Sequence, residues 1–102
     1  MRQGLEKFIR RVILSKYPYL IDFEVLRVSH YIEDFKVMRA LRSNYQFYYR
    51  VNFFIDLDMI PDRTLHGISF DEIKKDVEHL FMVLGPNDNE KLEGIEFYRT
   101  KK

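Results

Sequence analysis

Residues 45–58, YQFYYRVNFFIDLD, constrain the fold more than any other stretch of this chain. Tyr45, Phe47, Tyr49, Val51, Phe53, Ile55 and Leu57 fall at one parity, and Gln46, Tyr48, Arg50, Asn52, Phe54, Asp56 and Asp58 at the other. Side chains of an extended segment point alternately to opposite faces. A strand here therefore presents one unbroken apolar face, expected to be core. Its second face is polar, with Tyr48 and Phe54 on either side of Arg50. The odd positions need no functional explanation; the even ones are where a function would have to show.

The flanking segments supply partners for that strand. Residues 20–32 are rich in β-branched and aromatic types; Ile21, Phe23 and Val25 share one face, while Leu26, Val28 and Ile32 occupy the opposite parity. A change of phase within one strand predicts a bulge or burial on both faces. Turn-forming residues at 33–34 and 42–44 bracket a further candidate strand at 35–41. Residues 45–58 then read as the third strand of an antiparallel meander.

Two helices are legible. Leu5, Phe8, Ile9, Val12 and Ile13 recur at helical spacing over residues 4–17, with Glu6, Lys7, Arg10 and Arg11 on the other side, and Pro18 marks the stop. Ser69 followed by Glu72 is a capping box, and Ile68 with Ile73 suits a hydrophobic staple. Phe70, Ile73, Val77, Leu80, Phe81 and Leu84 continue as an apolar stripe until Gly85-Pro86. A polar loop at 87–94 and a short strand at 95–100 complete the order. The predicted fold is a single α+β domain over residues 1–102: an antiparallel meander sheet in the order helix-strand-strand-strand-helix-strand, with two helices packed on one face.

Charge and composition narrow the function classes. A net charge of +1 gives no global field for a strongly basic nucleic-acid binder. Charge is uneven, however: residues 1–54 hold ten Lys/Arg against five Asp/Glu, and residues 55–94 hold four against ten. With no cysteine there are no disulfides, thiolate metal sites or thiolate catalysis. Basic residues interrupt the first twenty positions, so no signal peptide is expected, and no apolar run suits a membrane span. The expected setting is the cytoplasm or a virion.

Catalytic patterns are weak. Pro61-Asp62 followed by Glu72-Ile73-Lys74 matches the spacing of divalent-metal nucleases, in which two carboxylates hold the metal and the lysine orients water. That chemistry needs Glu and Lys on one strand face, whereas two residues on a helix diverge by about 200°. Asp56, Asp58, Asp62 and His66 lack the glycine and distal glutamate of a calcium loop and read as turn residues. His30, His66 and His79 form no ligand pair, and the four isolated glycines make no phosphate loop. No catalytic residue, metal or cofactor is expected.

Two binding readings remain. Arg10 and Arg11 on the first helix, with Tyr48 and Arg50, could contact phosphate and stack bases. Alternatively Tyr48, Arg50 and Phe54 are the residue types that concentrate in protein interfaces, with Arg10 and Arg11 as a secondary electrostatic patch. Phe97 and Tyr98 point to opposite faces of the last strand, and Met82 lies off the second helix's stripe. The chain thus holds more large apolar residues than one sheet face and two stripes consume. The layout resembles small phage tail-completion and baseplate-type subunits in element order alone. The expectation is a non-catalytic subunit of a multi-protein assembly, such as a virion or tail component, that contacts other subunits or itself.

Overall fold

The computed structural model describes residues 1–31, 45–56 and 70–99. A first helix, α1 (Arg2–Phe8), runs on through a π-helical segment (Ile9–Ile13) into a last turn (Leu14–Lys16). Strands β1 (Leu20–Tyr31) and β2 (Tyr45–Ile55) follow, then helix α2 (Phe70–Val83) and strand β3 (Glu90–Arg99). The strands form one mixed sheet in the order β1-β2-β3.

The antiparallel meander is thereby corrected. β1 pairs directly and antiparallel with β2, from Leu20 opposite Ile55 to Tyr31 opposite Tyr45. No strand lies between them; the candidate strand at 35–41 and its two turns fall outside the described residues. β3 pairs with the other edge of β2 in parallel, because α2 carries the chain back to the end from which β2 started. The polar loop assigned to residues 87–94 is likewise too long, since β3 already begins at Glu90. Its early residues hydrogen-bond to β2 despite their poor strand propensity, an instance of tertiary pairing overriding composition.

Parity along β2 matches the sequence reading from Tyr49 onward: Tyr49, Val51, Phe53 and Ile55 are buried, and they share one cluster with Leu5, Ile9, Ile13, Ile73, Val77, Phe81 and Ile95. At the strand's start the core face gives out, with Phe47 half-buried and Tyr45 exposed, and Leu57 lies outside the described residues. Both helices therefore lie on the same side of the sheet. Phe97 stacks between Phe53 and Phe70, with ring centroids 5.6 and 4.3 Å away, joining sheet to α2. Tyr49 is buried whole, and its hydroxyl donates to Glu90 Oε2 at 2.9 Å. Burial, reinforced by that carboxylate, raises its phenol above the ordinary value.

Two sequence details shift. The register of β1 slips between Leu20 and Asp22, so Leu20, Phe23 and Val25 face the core while Ile21 is exposed. The bulge lies at the start of the strand, and it removes Ile21 from the face assigned to it. In the first helix only Leu5, Ile9 and Ile13 are buried; Phe8 and Val12 are exposed. Four residues of α-helix advance about 40° around the axis, whereas the wider π turn falls back. The i, i+4 row thus stays aligned and the neighbouring positions turn outward.

The helix ends behave as the sequence suggests. Tyr17, before Pro18, leaves the helical region with φ −122° and ψ 87°. Gly85 adopts φ 69° and donates its N–H to the Met82 carbonyl at 3.0 Å, closing α2. The Ser69 cap and the Ile68 staple lie outside the described residues.

A polar clamp joins the two helices. Asp76 Oδ2 on α2 accepts hydrogen bonds from the Tyr17 hydroxyl at 2.7 Å and from Lys16 Nζ at 3.0 Å. Burial and the bond to Asp76 push the Tyr17 phenol up to about 12. The hydrogen bond to Asp76 raises Lys16. At Asp76 burial acts upward, but the bonds from Tyr17 and Lys16 prevail and hold the carboxyl below its usual value.

These directions fix the pH response. Tyr17 and Lys16, raised on folding, contribute fully below their unfolded values of about 10. That contribution is lost as pH rises through the folded values. Asp76, depressed, contributes above about pH 4 and loses its contribution as pH falls through its folded value. Tyr17→Phe is expected to lower stability at pH 7 by about 1.5 kcal/mol in urea unfolding, and to flatten the alkaline decline. An unchanged midpoint and an unchanged alkaline limb would contradict the clamp. Gly85→Ala, strained only through its backbone, is expected to cost about 1 kcal/mol in the same measurement, with Gly85→Asn costing less.

Candidate interaction face

The even positions of β2 lie on the side of the sheet opposite both helices. The strand registers place them in rows: Asp22–Phe54–Tyr98, Glu24–Asn52–Glu96, Leu26–Arg50–Gly94 and Val28–Tyr48–Lys91, with His30 beside Gln46. Among the described residues no helix covers this face. Leu26, Val28 and Tyr98 are 41%, 47% and 45% exposed on it. Phe54 and Tyr98 pack ring to ring at 6.1 Å, and His30 sits edge-on to Tyr48 at 5.3 Å.

Two aromatic pairs thus cap the ends of a polar centre. Arg50 crosses the bare backbone of Gly94, its Nε 3.9 Å from where a Cβ would stand. Its guanidinium reaches Glu96 at 3.5 Å, an exposed pair of little energetic weight. Asn52 is 6% exposed, and its Nδ2 donates to Glu24 Oε1 at 2.9 Å, fixing that carboxylate over the middle of the row. The amide orientation follows from its neighbour, since a flipped carbonyl would face a carboxylate. The opposite atom, Oδ1, is buried with no hydrogen-bond partner.

The structure brings Tyr48, Arg50 and Phe54 onto one surface, and Tyr98 joins it as its parity implies. It separates them from Arg10 and Arg11. Arg10 lies with its guanidinium 5.1 Å from the Phe23 ring, on the helix side of the sheet, and Arg11 is exposed on the same helix. The sheet stands between the two groups. Sequence reading missed Glu24, Asn52 and Glu96 as one row, because the row exists only through cross-strand register. It also could not place Leu26 and Val28 beside Arg50 and Tyr48 without knowing that β1 pairs with β2.

Elsewhere the chemistry is sparse. Glu72 turns toward the first helix and pairs with Lys16 at 3.4 Å, away from Lys74; Asp58, Pro61, Asp62 and His66 lie outside the described residues. Among the described residues no group of three His, Asp or Glu could hold a metal ion, and no helix is long and apolar enough to cross a membrane. A groove of about 780 Å³ opens between α2 and β3, lined by more acidic than basic side chains, Glu78, Asp88, Glu90 and Glu93 among them, with Lys74 on its α2 side.

Because Oδ1 of Asn52 is already unpartnered and Glu24 can return to water, Asn52→Leu is expected to change fold stability by less than about 0.5 kcal/mol. Urea unfolding measures this; a loss above about 2 kcal/mol would show that Asn52 serves the fold rather than the face. Comparison with known families, with characterised proteins and with solved structures finds no match to this chain.

Proposed function

We propose that this chain is a non-catalytic interaction subunit of a multi-protein assembly, docking through the outer face of its sheet. The observation that carries the reading is the run of Leu26, Val28, Tyr48, Phe54 and Tyr98 around Arg50 and Glu96, on a face that no described element covers. Exposed aliphatic and aromatic side chains gathered on one face beside an arginine are residue types that concentrate in interfaces. Its setting adds weight, since parallel pairs such as β2–β3 are usually buried on both faces. A virion or tail component is the concrete form of this proposal; the resemblance in element order behind it is matched only in part, because the sheet is mixed.

Nucleic-acid binding is the second reading. It calls on Arg10 and Arg11 together with Tyr48 and Arg50, which lie on opposite sides of the sheet. Asp22, Glu24 and Glu96 also share the face with Arg50 and would repel phosphate. The docking reading is favoured for that reason.

The test is retention of the native assembly by the full chain. Wild type is expected to hold its partner subunits, and Arg50→Glu or Phe54→Ser to release them with an unchanged far-ultraviolet circular dichroism spectrum. Retention by both variants would contradict the proposal. Binding that falls steeply with salt and is abolished by Arg10→Ala with Arg11→Ala would instead favour nucleic acid.

A further inference from the structure

We infer that the outer sheet face is self-complementary and that its occupant is a second copy of this chain, bound face to face about a two-fold axis. This rests on the docking reading above. The inference comes from the order of residues along β2. Outward from the gap between Arg50 and Asn52 stand Arg50 and then Tyr48 on one side, Asn52 and then Phe54 on the other. A two-fold axis running across the strands through that gap sets Arg50 against Asn52 of the second copy, and Tyr48 against its Phe54.

The flanking strands follow the same rule. The rows of Asn52 and Phe54 hold Asp22, Glu24 and Glu96 and no cation. The rows of Arg50 and Tyr48 hold Arg50 and Lys91 with no acid in register; Glu93 falls at the register shift of β3. The two-fold therefore lays the acidic rows of each copy on the basic rows of the other. Arg50 reaches the Glu24 and Glu96 carboxylates of the second copy, while Lys91 stands over its Tyr98 ring. Leu26 and Val28 meet the stems of Glu24 and Asp22 in the same contact.

Such an arrangement is isologous, each contact occurring twice. Sheets packed this way lie about 10 Å apart with strands within about 30° of alignment. A face three strands wide and four rows deep measures roughly 15 by 25 Å, or about 400 Å² per copy, below the size of stable specific interfaces. The dimer is accordingly expected to be weak and to form only in the upper part of the concentration series. The weak internal Arg50–Glu96 pair persists while Arg50 gains a second carboxylate from across the axis.

Sedimentation equilibrium of the full chain over a concentration series tests this. Wild type is expected to approach twice the 12.5 kDa chain mass. Arg50→Glu alone, and Glu24→Lys with Glu96→Lys, are each expected to weaken the dimer by about a hundredfold. Mixed in equal amounts, the two variants are expected to restore it, because every contact across the axis again joins opposite charges. Tyr48→Glu mixed with Phe54→Lys repeats the exchange at the aromatic contact should either charge variant fail to fold.

Monomeric wild type at all concentrations would overturn the second copy as occupant while leaving docking to other subunits intact. A dimer indifferent to Arg50→Glu and Phe54→Ser would overturn both. Monomeric variants that fail to recombine at both contacts would overturn the two-fold register.

Discussion

β2 is hydrogen-bonded on both edges, and its two faces have different employment. One face sets Tyr49, Val51, Phe53 and Ile55 against both helices, and the other carries exposed Arg50, half-buried Tyr48 and Phe54, and Asn52 buried beneath its neighbours. Because the side-chain period is two, a slip of one residue in its pairing would exchange those sets entirely. The aromatic stack through Phe53, Phe97 and Phe70 and the burial of Tyr49 on Glu90 hold that register from the core side. The geometry of the outer face is thus a consequence of core packing, and needs no device of its own.

The helix layer is secured at a second point, the Tyr17–Asp76–Lys16 clamp. It sits where the first helix ends and β1 begins, close to the bulge at Leu20 and Asp22. That bulge returns Leu20 and Phe23 to one face despite their spacing, and leaves Leu26 and Val28 on the other. The apolar character of the outer face on its β1 side follows from there.

Much of this was legible in the sequence. The parity of residues 49–55, the row at Ile73, Val77 and Phe81, and the stop at Gly85 were each readable because local periodicity and backbone preference act without knowledge of the fold; the exposure of Tyr45 at the strand's start was not. The meander was not, because pairing partners are chosen by tertiary geometry; the helical crossover that makes β3 parallel leaves no mark in strand propensity. Ile21 was misplaced because a bulge changes phase without changing composition. Of the candidate face, Tyr48, Arg50 and Phe54 could be named from parity. Their link to Glu24, Asn52, Glu96 and Tyr98 required the register, as did their separation from Arg10 and Arg11.

On the sheet face that no described helix covers, aromatic pairs at both ends flank a pinned carboxylate and the Arg50–Glu96 pair, and the docking proposal turns on whether that face is covered in solution. Nuclear magnetic resonance spectra of the full chain recorded on dilution test this most directly, since they report residue by residue which surface is covered. Concentration-dependent shifts confined to Leu26, Val28, Tyr48, Arg50, Phe54 and Tyr98 are the expected result. Shifts centred on the exposed sides of the two helices, or on the groove between α2 and β3, would contradict it.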